Sequence, residues 1–311
     1  MKTVVGRDSL GSLDERTAVA VGTFDGVHVG HRALIAQTAQ RAKRDDLATT
    51  VLTWDRHPAA TLRPEKLPPL LTTPERKVEL IESSGADILV VLEFDDTLSH
   101  WSPEHFVNHV LVAGVNAAAV FVGRDWRFGH KAVGDAALLE RLGAESGFDV
   151  VPSELVAVRG EPVSATRART ALAAGDLRLV TELLGRPFDV DGVVVRGDDR
   201  GAGLGWPTAN LSLDKSLAHP PQGVYAGRAR AQGQWWPAAV NVGVNPTFGG
   251  DIHTTPLRIE AYLLDFEADL YDQALRLEFW ERLRDEKRFD SAEQLSEQIA
   301  ADVEATRRLT C

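Results

Sequence analysis

Short, almost continuously apolar runs separated by amphipathic segments set the texture of the first half of the chain. Residues 17–22 (TAVAVG), 49–54 (TTVLTW), 87–94 (DILVVLEF) and 117–123 (AAAVFVG) carry few polar side chains, the pattern of strands buried on both faces of a parallel sheet. Between them, residues 31–44, 73–85 and 102–112 repeat apolar positions at helical spacing. The last opens Ser-Pro-Glu, a cap followed by proline at the first helical position. This alternation predicts a doubly wound α/β domain whose ligand lies beyond the C-terminal ends of the strands.

After Gly185 the texture changes. FDVDGVVVRG, GVYAGRARAQGQWWPAAVNVG and LRIEAYLLD are strand-rich and punctuated by turns, which predicts a compact antiparallel β-barrel. A closing helix is expected over residues 291–307. The segment ALAAGDLRLVTELLGRP reads as two short helices joining the halves, so the expected domains are 1–184 and 185–311. No internal repeat or low-complexity tract interrupts this plan.

Composition narrows the functional classes. A chain of 311 residues with 44% hydrophobic content supplies two modest cores, as two domains require. Lys and Arg number 34 against 45 Asp and Glu, a net charge of -11, which disfavours a sequence-independent nucleic-acid binder. No apolar run reaches the roughly 20 residues that cross a bilayer, and residues 1–16 lack the apolar stretch of a secretory signal; a soluble, cytoplasmic protein without a membrane partner is expected. The single cysteine is Cys311, which leaves no internal disulfide framework and no cysteine-based metal cluster.

Two motif blocks carry the candidate chemistry. In GTFDGVHVGH (residues 22–31) a strand ends at Gly22, a glycine-containing turn follows, and His31 is expected to open a helix whose free N–H groups favour an anion. His28 and His31, three residues apart, are candidates for stabilising charge on an α-phosphate and its pyrophosphate leaving group. In GDDRGAGLGWPTAN (residues 197–210) glycines allow backbone amides to approach phosphates closely, and Thr208 and Asn210 offer oxygens that Mg²⁺ accepts. This block is neither a Walker A loop nor a dinucleotide GxGxxG. Read alone, it is compatible with ordinary turns, and the histidines with a structural pair.

The first block resembles the HxGH nucleotidyltransferases, and more narrowly the flavin adenylyltransferase half of the bifunctional riboflavin kinase/FAD synthetase family. TWDRHP (53–58), GRDWRFGHKAVGD (123–135) and VSATRAR (163–169) are similar to that family's segments in the same order, with Trp54 and Trp126 at aromatic positions and Ala165 and Ala168 departing from the pattern. The second half resembles the riboflavin kinase domain through GRPFDVDGVVVRGDDRGAGLGWPTANL, GVYAG, NVGVNPTFGG, RIEAYLLDFEADLYDQ and LRDEKRFDSAEQL.

The resemblance covers about residues 17–306 and implies a chain that phosphorylates riboflavin to FMN and adenylylates FMN to FAD, with ATP as co-substrate and Mg²⁺ as metal. It implies catalytic roles for Glu260, His28 and His31; ATP or phosphate contacts at Gly22, Phe24, Asp25, Gly30, Ser164, Thr166, Arg167, Arg169, Gly197, Gly201, Gly203, Gly205 and Pro207; flavin contacts at Asp55, Asp125 and Phe128; and metal ligation by Thr208 and Asn210. Asp135 reads better as the cap of the next helix than as a ligand group. The acidic group Asp265, Glu267 and Asp269 reads as a turn. Two other readings stay open at this level: a chain in which only the kinase works, and a flavin-binding carrier that has lost turnover.

Overall fold

The computed structural model describes residues 1–11, 13–197, 205–244 and 257–310. Gly201 and Gly203 of the second motif block lie outside these residues, as do residues 245–256. The chain forms two compact units, Met1–Ala165 and Thr166–Cys311.

The first unit is built on a six-stranded, all-parallel sheet. Its strands are β1 (Lys2–Val5), β2 (Thr17–Val21), β3 (Ala48–Trp54), β4 (Ile88–Leu92), β5 (Ala117–Gly123) and β6 (Asp149–Ser153), in the order β1-β4-β3-β2-β5-β6. Side chains alternate between faces along each strand. Val19, Val21, Leu52, Trp54, Val90, Leu92, Val120 and Val122 join one buried cluster. Ala18, Ala20, Val51, Leu89, Ala119 and Phe121 join the other. Both faces being covered explains why the strand sequences show no polar alternation.

Helices α1 (Val29–Asp45), α2 (Pro58–Leu62), α3 (Pro74–Ser83), α4 (Asp96–Ser99), α5 (Pro103–Phe106) and α6 (Ala136–Ser146) connect them. Their starts follow from local sequence. Thr73, Asp95, Ser102 and Asp135 each accept a backbone N–H of the first turn through the side chain, satisfying a donor that the helix leaves open. Asp135 is thus a helix cap, as its position implied. The helix expected over 102–112 changes pitch after Phe106 and continues as a π-helical stretch, Val107–Val112. A two-residue hairpin of β7 (Ala157–Val158) and β8 (Glu161–Pro162) follows the sheet.

Helices α7 (Ala165–Ala173) and α8 (Leu177–Leu184) precede a closed antiparallel barrel. Its strands are β9 (Phe188–Val195), β10 (Ala209–Ser212), β11 (Gly223–Ala231), β12 (Gln234–Val244), β13 (Leu257–Leu263) and β14 (Ala274–Arg284), ordered β10-β13-β12-β11-β14-β9 with β9 returning to β10. Phe188, Val190, Leu211, Val240, Val242, Ile259, Ala261, Leu277 and Phe279 are buried. At Gly227 a Cβ would lie 1.9 Å from the Glu278 carbonyl oxygen, so only glycine allows β11 and β14 to close at that irregularity in the ladder. The terminal helix α9 (Ala292–Thr310) contributes Val303 and Thr306 to the buried set. The compact units place α7 and α8 almost entirely with the barrel, whereas sequence texture changes later, at Gly185.

Candidate functional site

The first site is a turn between β2 and α1. Phe24 adopts a left-handed backbone at φ 52° and Val27 at φ 38°, conformations that cost a non-glycine residue of order 1–3 kcal/mol and cluster at functional sites. Phe24 is fully buried, and its ring lies 4.9 Å from that of His31. Asp25 accepts the Leu71 N–H at 3.0 and 3.2 Å, and Gly26 donates to Thr72 Oγ1 at 3.3 Å. Asp25 therefore braces the turn against residues 71–72. Gly22 packs against the Phe24 ring, where a Cβ would lie 3.2 Å away.

His31 does not open helix α1, as the sequence had implied. His28 caps it, and His28 Nδ1 accepts the His31 N–H at 3.2 Å. The physical reason is that an imidazole in an extended residue serves as an N-cap acceptor much as aspartate does, so the helix begins at Val29. As an acceptor Nδ1 carries no proton, which places the hydrogen of the neutral ring on Nε2. The two rings stack with centroids 3.6 Å apart and planes at 12°. A Cβ at Gly30 would sit 3.2 Å from the His28 ring, so glycine leaves that ring room. Burial pushes the proton affinity of His31 well below the ordinary imidazole value, and His28 and Lys77 lower it further. Its Nδ1 is buried with no hydrogen-bond partner among the described residues.

Beside this turn lies a cavity of about 780 Å³, lined by Thr23, Trp54, Phe94, Trp101, Phe106, Trp126 and Phe128, with Arg63, Arg127, His100, His130 and Lys131 among its polar lining. Trp126 and Phe128 stack at 4.7 Å and 10°. An aromatic-walled cleft of this volume suits a planar heteroaromatic ring. Phe128 is in the wall. Asp55 is not: it accepts the Phe94 N–H at 2.9 Å and pairs with Arg56. Burial opposes its ionisation, but Arg56 and the Phe94 N–H outweigh it and hold the carboxyl below its ordinary value. Asp125 is exposed on the turn after β5.

Ser164 immediately precedes α7, which carries Thr166, Arg167 and Arg169. Ala168 is fully buried. That departure from the family pattern therefore sits at a packing position, while the hydroxyl and guanidinium donors flank it.

The second site is in the barrel. Register pairs Glu260 on β13 with Asn210 on β10 and with Asn241 on β12, and directly paired residues share a face of the sheet. Glu260, Asn241, Thr208, Trp206, Tyr262 and Arg284 line a cavity of about 390 Å³. Arg258 Nη1 donates to Glu260 Oε1 at 3.4 Å.

Asn210 stands next to Glu260 in register, with its amide against Gly197. Its Oδ1 is buried with no hydrogen-bond partner among the described residues. An orphaned amide oxygen two residues along the chain from Thr208 fits the hard-oxygen preference of Mg²⁺. Gly205 is exposed at φ 83°, and Pro207 follows it on the way into β10.

Arg284 is held by Asp302 through contacts of 2.7 to 3.1 Å. Asp265 pairs with Arg307 of α9 at 2.7 Å, and Asp269 accepts the Tyr271 N–H in a local turn. Asn241 and Lys77 are the residues that sequence reasoning missed. Each is brought to its site by tertiary pairing that no local motif announces.

A sheet unit with a histidine-capped turn beside an aromatic cleft, followed by a barrel with a carboxylate, hydroxyl and amide around a second cleft, defines a two-site nucleotide-dependent transferase. The family model for FAD synthetase matches residues 11–167, and that for riboflavin kinase matches residues 184–310. The chain belongs to the bifunctional riboflavin kinase/FMN adenylyltransferase family. It is 38% identical over 309 residues to the Pseudomonas fluorescens protein of that name, covering 99% of this chain and 98% of the relative. It is 35% identical to the Bacillus subtilis protein, covering 92% and 90%, and 34% identical to the Escherichia coli K12 protein, covering 97% and 96%. A crystal structure titled as a macrolide-efflux protein from Streptococcus pneumoniae superposes with a TM-score of 0.89 at 29% identity, covering 99% of each chain. Among the described residues of this chain no helix is long and apolar enough to cross a membrane.

Proposed function

We propose that two separate residue sets carry out the two successive reactions of this family. The chain phosphorylates riboflavin to FMN with ATP and joins FMN to AMP from a second ATP, giving FAD and pyrophosphate. In the barrel, Glu260 accepts the proton of the ribityl hydroxyl as that oxygen takes the γ-phosphoryl group and ADP leaves. Thr208 and Asn210 hold Mg²⁺, with Gly197, Gly205 and Pro207 shaping the phosphate loop. When bound, the metal neutralises charge on the transferring group. Asn241 orients Glu260 from the neighbouring strand.

In the sheet unit, His28 donates through Nε2 to charge developing on the α-phosphate. His31, neutral in the free protein, becomes the better donor once the anionic polyphosphate supplies an opposing field. Gly22 and Gly30 give that polyphosphate close access, while Phe24 and Asp25 keep the turn in shape. No general base is required, because an oxygen of the FMN phosphate is already anionic when it attacks and pyrophosphate leaves. Ser164, just before α7, contributes a hydroxyl donor to phosphate, and the resemblance gives the same role to Thr166, Arg167 and Arg169. The flavin ring lies in the aromatic cleft against Phe128, with Asp55 and Asp125 at its borders. Consumption of ATP in both reactions supports a cytoplasmic location.

The observation that carries this reading is that Thr208 and Glu260, distant in sequence, line one cavity of the barrel while the stacked histidine pair belongs to the other unit. A chromatographic time course with riboflavin, ATP and Mg²⁺ tests it. FMN followed by FAD is expected, and chelation with EDTA stops the first step. FMN alone would indicate a kinase-only chain, and neither product would refute the reading in favour of a flavin carrier.

A further inference from the structure

Lys77 lies on α3, whose residues pack against the 25–27 turn. Its Nζ donates to the Trp54 carbonyl at 2.7 Å, at the C-terminal end of β3. The same side chain lines a small cavity of about 30 Å³ with Thr23, Asp25, Asp55, Arg56 and His57. These neighbours brace both halves of the first site. Asp25 fixes the histidine turn to Leu71, Asp55 fixes the end of β3 to Phe94, and Trp54 projects into the aromatic cleft.

A lysine so largely withdrawn from solvent needs charged or hydrogen-bonding partners for its ammonium. Burial lowers its proton affinity, and Asp25 and Asp55 oppose that shift. In turn, Lys77 is one of the cations that disfavour a proton on His31.

We propose that Lys77 is a positioning residue for adenylyl transfer. Its ammonium joins the strand end that carries Trp54 into the aromatic cleft to the carboxylates that brace the histidine turn. One charged group thereby sets the distance between the flavin wall and the reacting phosphates. The proposal rests on the adenylyltransferase reading of this unit, so wild-type protein must first convert FMN to FAD; failure of that control refutes the reading itself rather than the role of Lys77.

The test compares Lys77→Met and Lys77→Arg for FMN adenylylation, for riboflavin phosphorylation, and for the titration of the His31 ring by NMR. A misplacement of about 1 Å between reacting groups costs on the order of 100-fold, so Lys77→Met is expected to lose about that factor in kcat for FAD formation. Its riboflavin phosphorylation should stay at the wild-type rate. The His31 midpoint should move up, since one of the cations that lowers it is gone. That shift reports only that the charge is gone; rescue of kcat by the cation of Lys77→Arg separates positioning from a merely structural role. Lys77→Arg keeps the cation and is expected to recover most of the lost rate and to restore the His31 midpoint. A folded Lys77→Met with wild-type FAD formation overturns the proposal. Should that variant fail to fold, a folded Lys77→Arg unable to make FAD overturns it equally.

Discussion

Gly197→Ala isolates the kinase site without removing any polar group. A Cβ on Gly197 would lie 2.2 Å from Asn210 Nδ2, 2.5 Å from its Cγ and 2.7 Å from its Oδ1. Ordinary contact between such atoms begins near 3.5 Å, so the amide must retreat by about 1 Å. The backbone of Asn210 gives little, because it is paired on one side with Val195 and on the other with Glu260. The side chain therefore turns, and Oδ1 leaves the place from which it would hold the metal. A shift of that size costs about 100-fold in rate, or roughly 2.7 kcal/mol of barrier. The assay is ATP-dependent conversion of riboflavin to FMN, with conversion of FMN to FAD by the same preparation as the internal control. The expected result is a loss of about 100-fold in the first activity with the second unchanged. Wild-type phosphorylation by a Gly197→Ala protein would refute the assignment of Asn210 to the metal.

Three further outcomes follow from the packing and electrostatics. Because burial lowers the proton affinity of His31 in the fold, the unfolded chain binds more protons below the ordinary imidazole pKa of 6.5. Stability is therefore expected to fall as pH drops below that value and not to change through this group above it; His31→Gln should flatten that limb in denaturant titrations of the sheet unit. Arg284→Met leaves the buried Asp302 carboxylate without its cation and with Gln298 still donating to it, and breaking such a pair costs about 3 kcal/mol, measurable as a lower unfolding midpoint of the barrel. Trp126→Ala removes the partner stacked on Phe128. Trp126 also lines the cleft, and loss of an aromatic contact with the flavin worth about 1 kcal/mol predicts roughly fivefold weaker FMN binding, read by quenching of flavin fluorescence.

The central strands of the sheet were legible because each is apolar on both faces. Edge strands were not. In β1 only Val4 is buried, and β6 contains Pro152, which suits an edge but weakens a strand signal. The barrel announced itself through turn residues, and α9 through its apolar spacing. Within the sites, the histidine turn and the Thr208–Asn210 segment were readable because their residues are adjacent in sequence. Even there, spacing alone could not tell that His28 rather than His31 terminates the helix, since that choice depends on an imidazole nitrogen accepting a backbone N–H. Lys77 lay in a charged helical segment where a solvated lysine is the ordinary expectation. Asn241 became visible only when β12 and β13 came into register.

The central claim is that each reaction belongs to its own set of residues. It is tested most directly by giving riboflavin, and separately FMN, with ATP and Mg²⁺ to Glu260→Gln and His31→Ala proteins and resolving the flavins by chromatography. Glu260→Gln should leave riboflavin unchanged yet convert FMN to FAD, and His31→Ala should convert riboflavin to FMN and stop there. FAD appearing from riboflavin in Glu260→Gln at the wild-type rate, or loss of both reactions in either variant while it remains folded, would contradict the account.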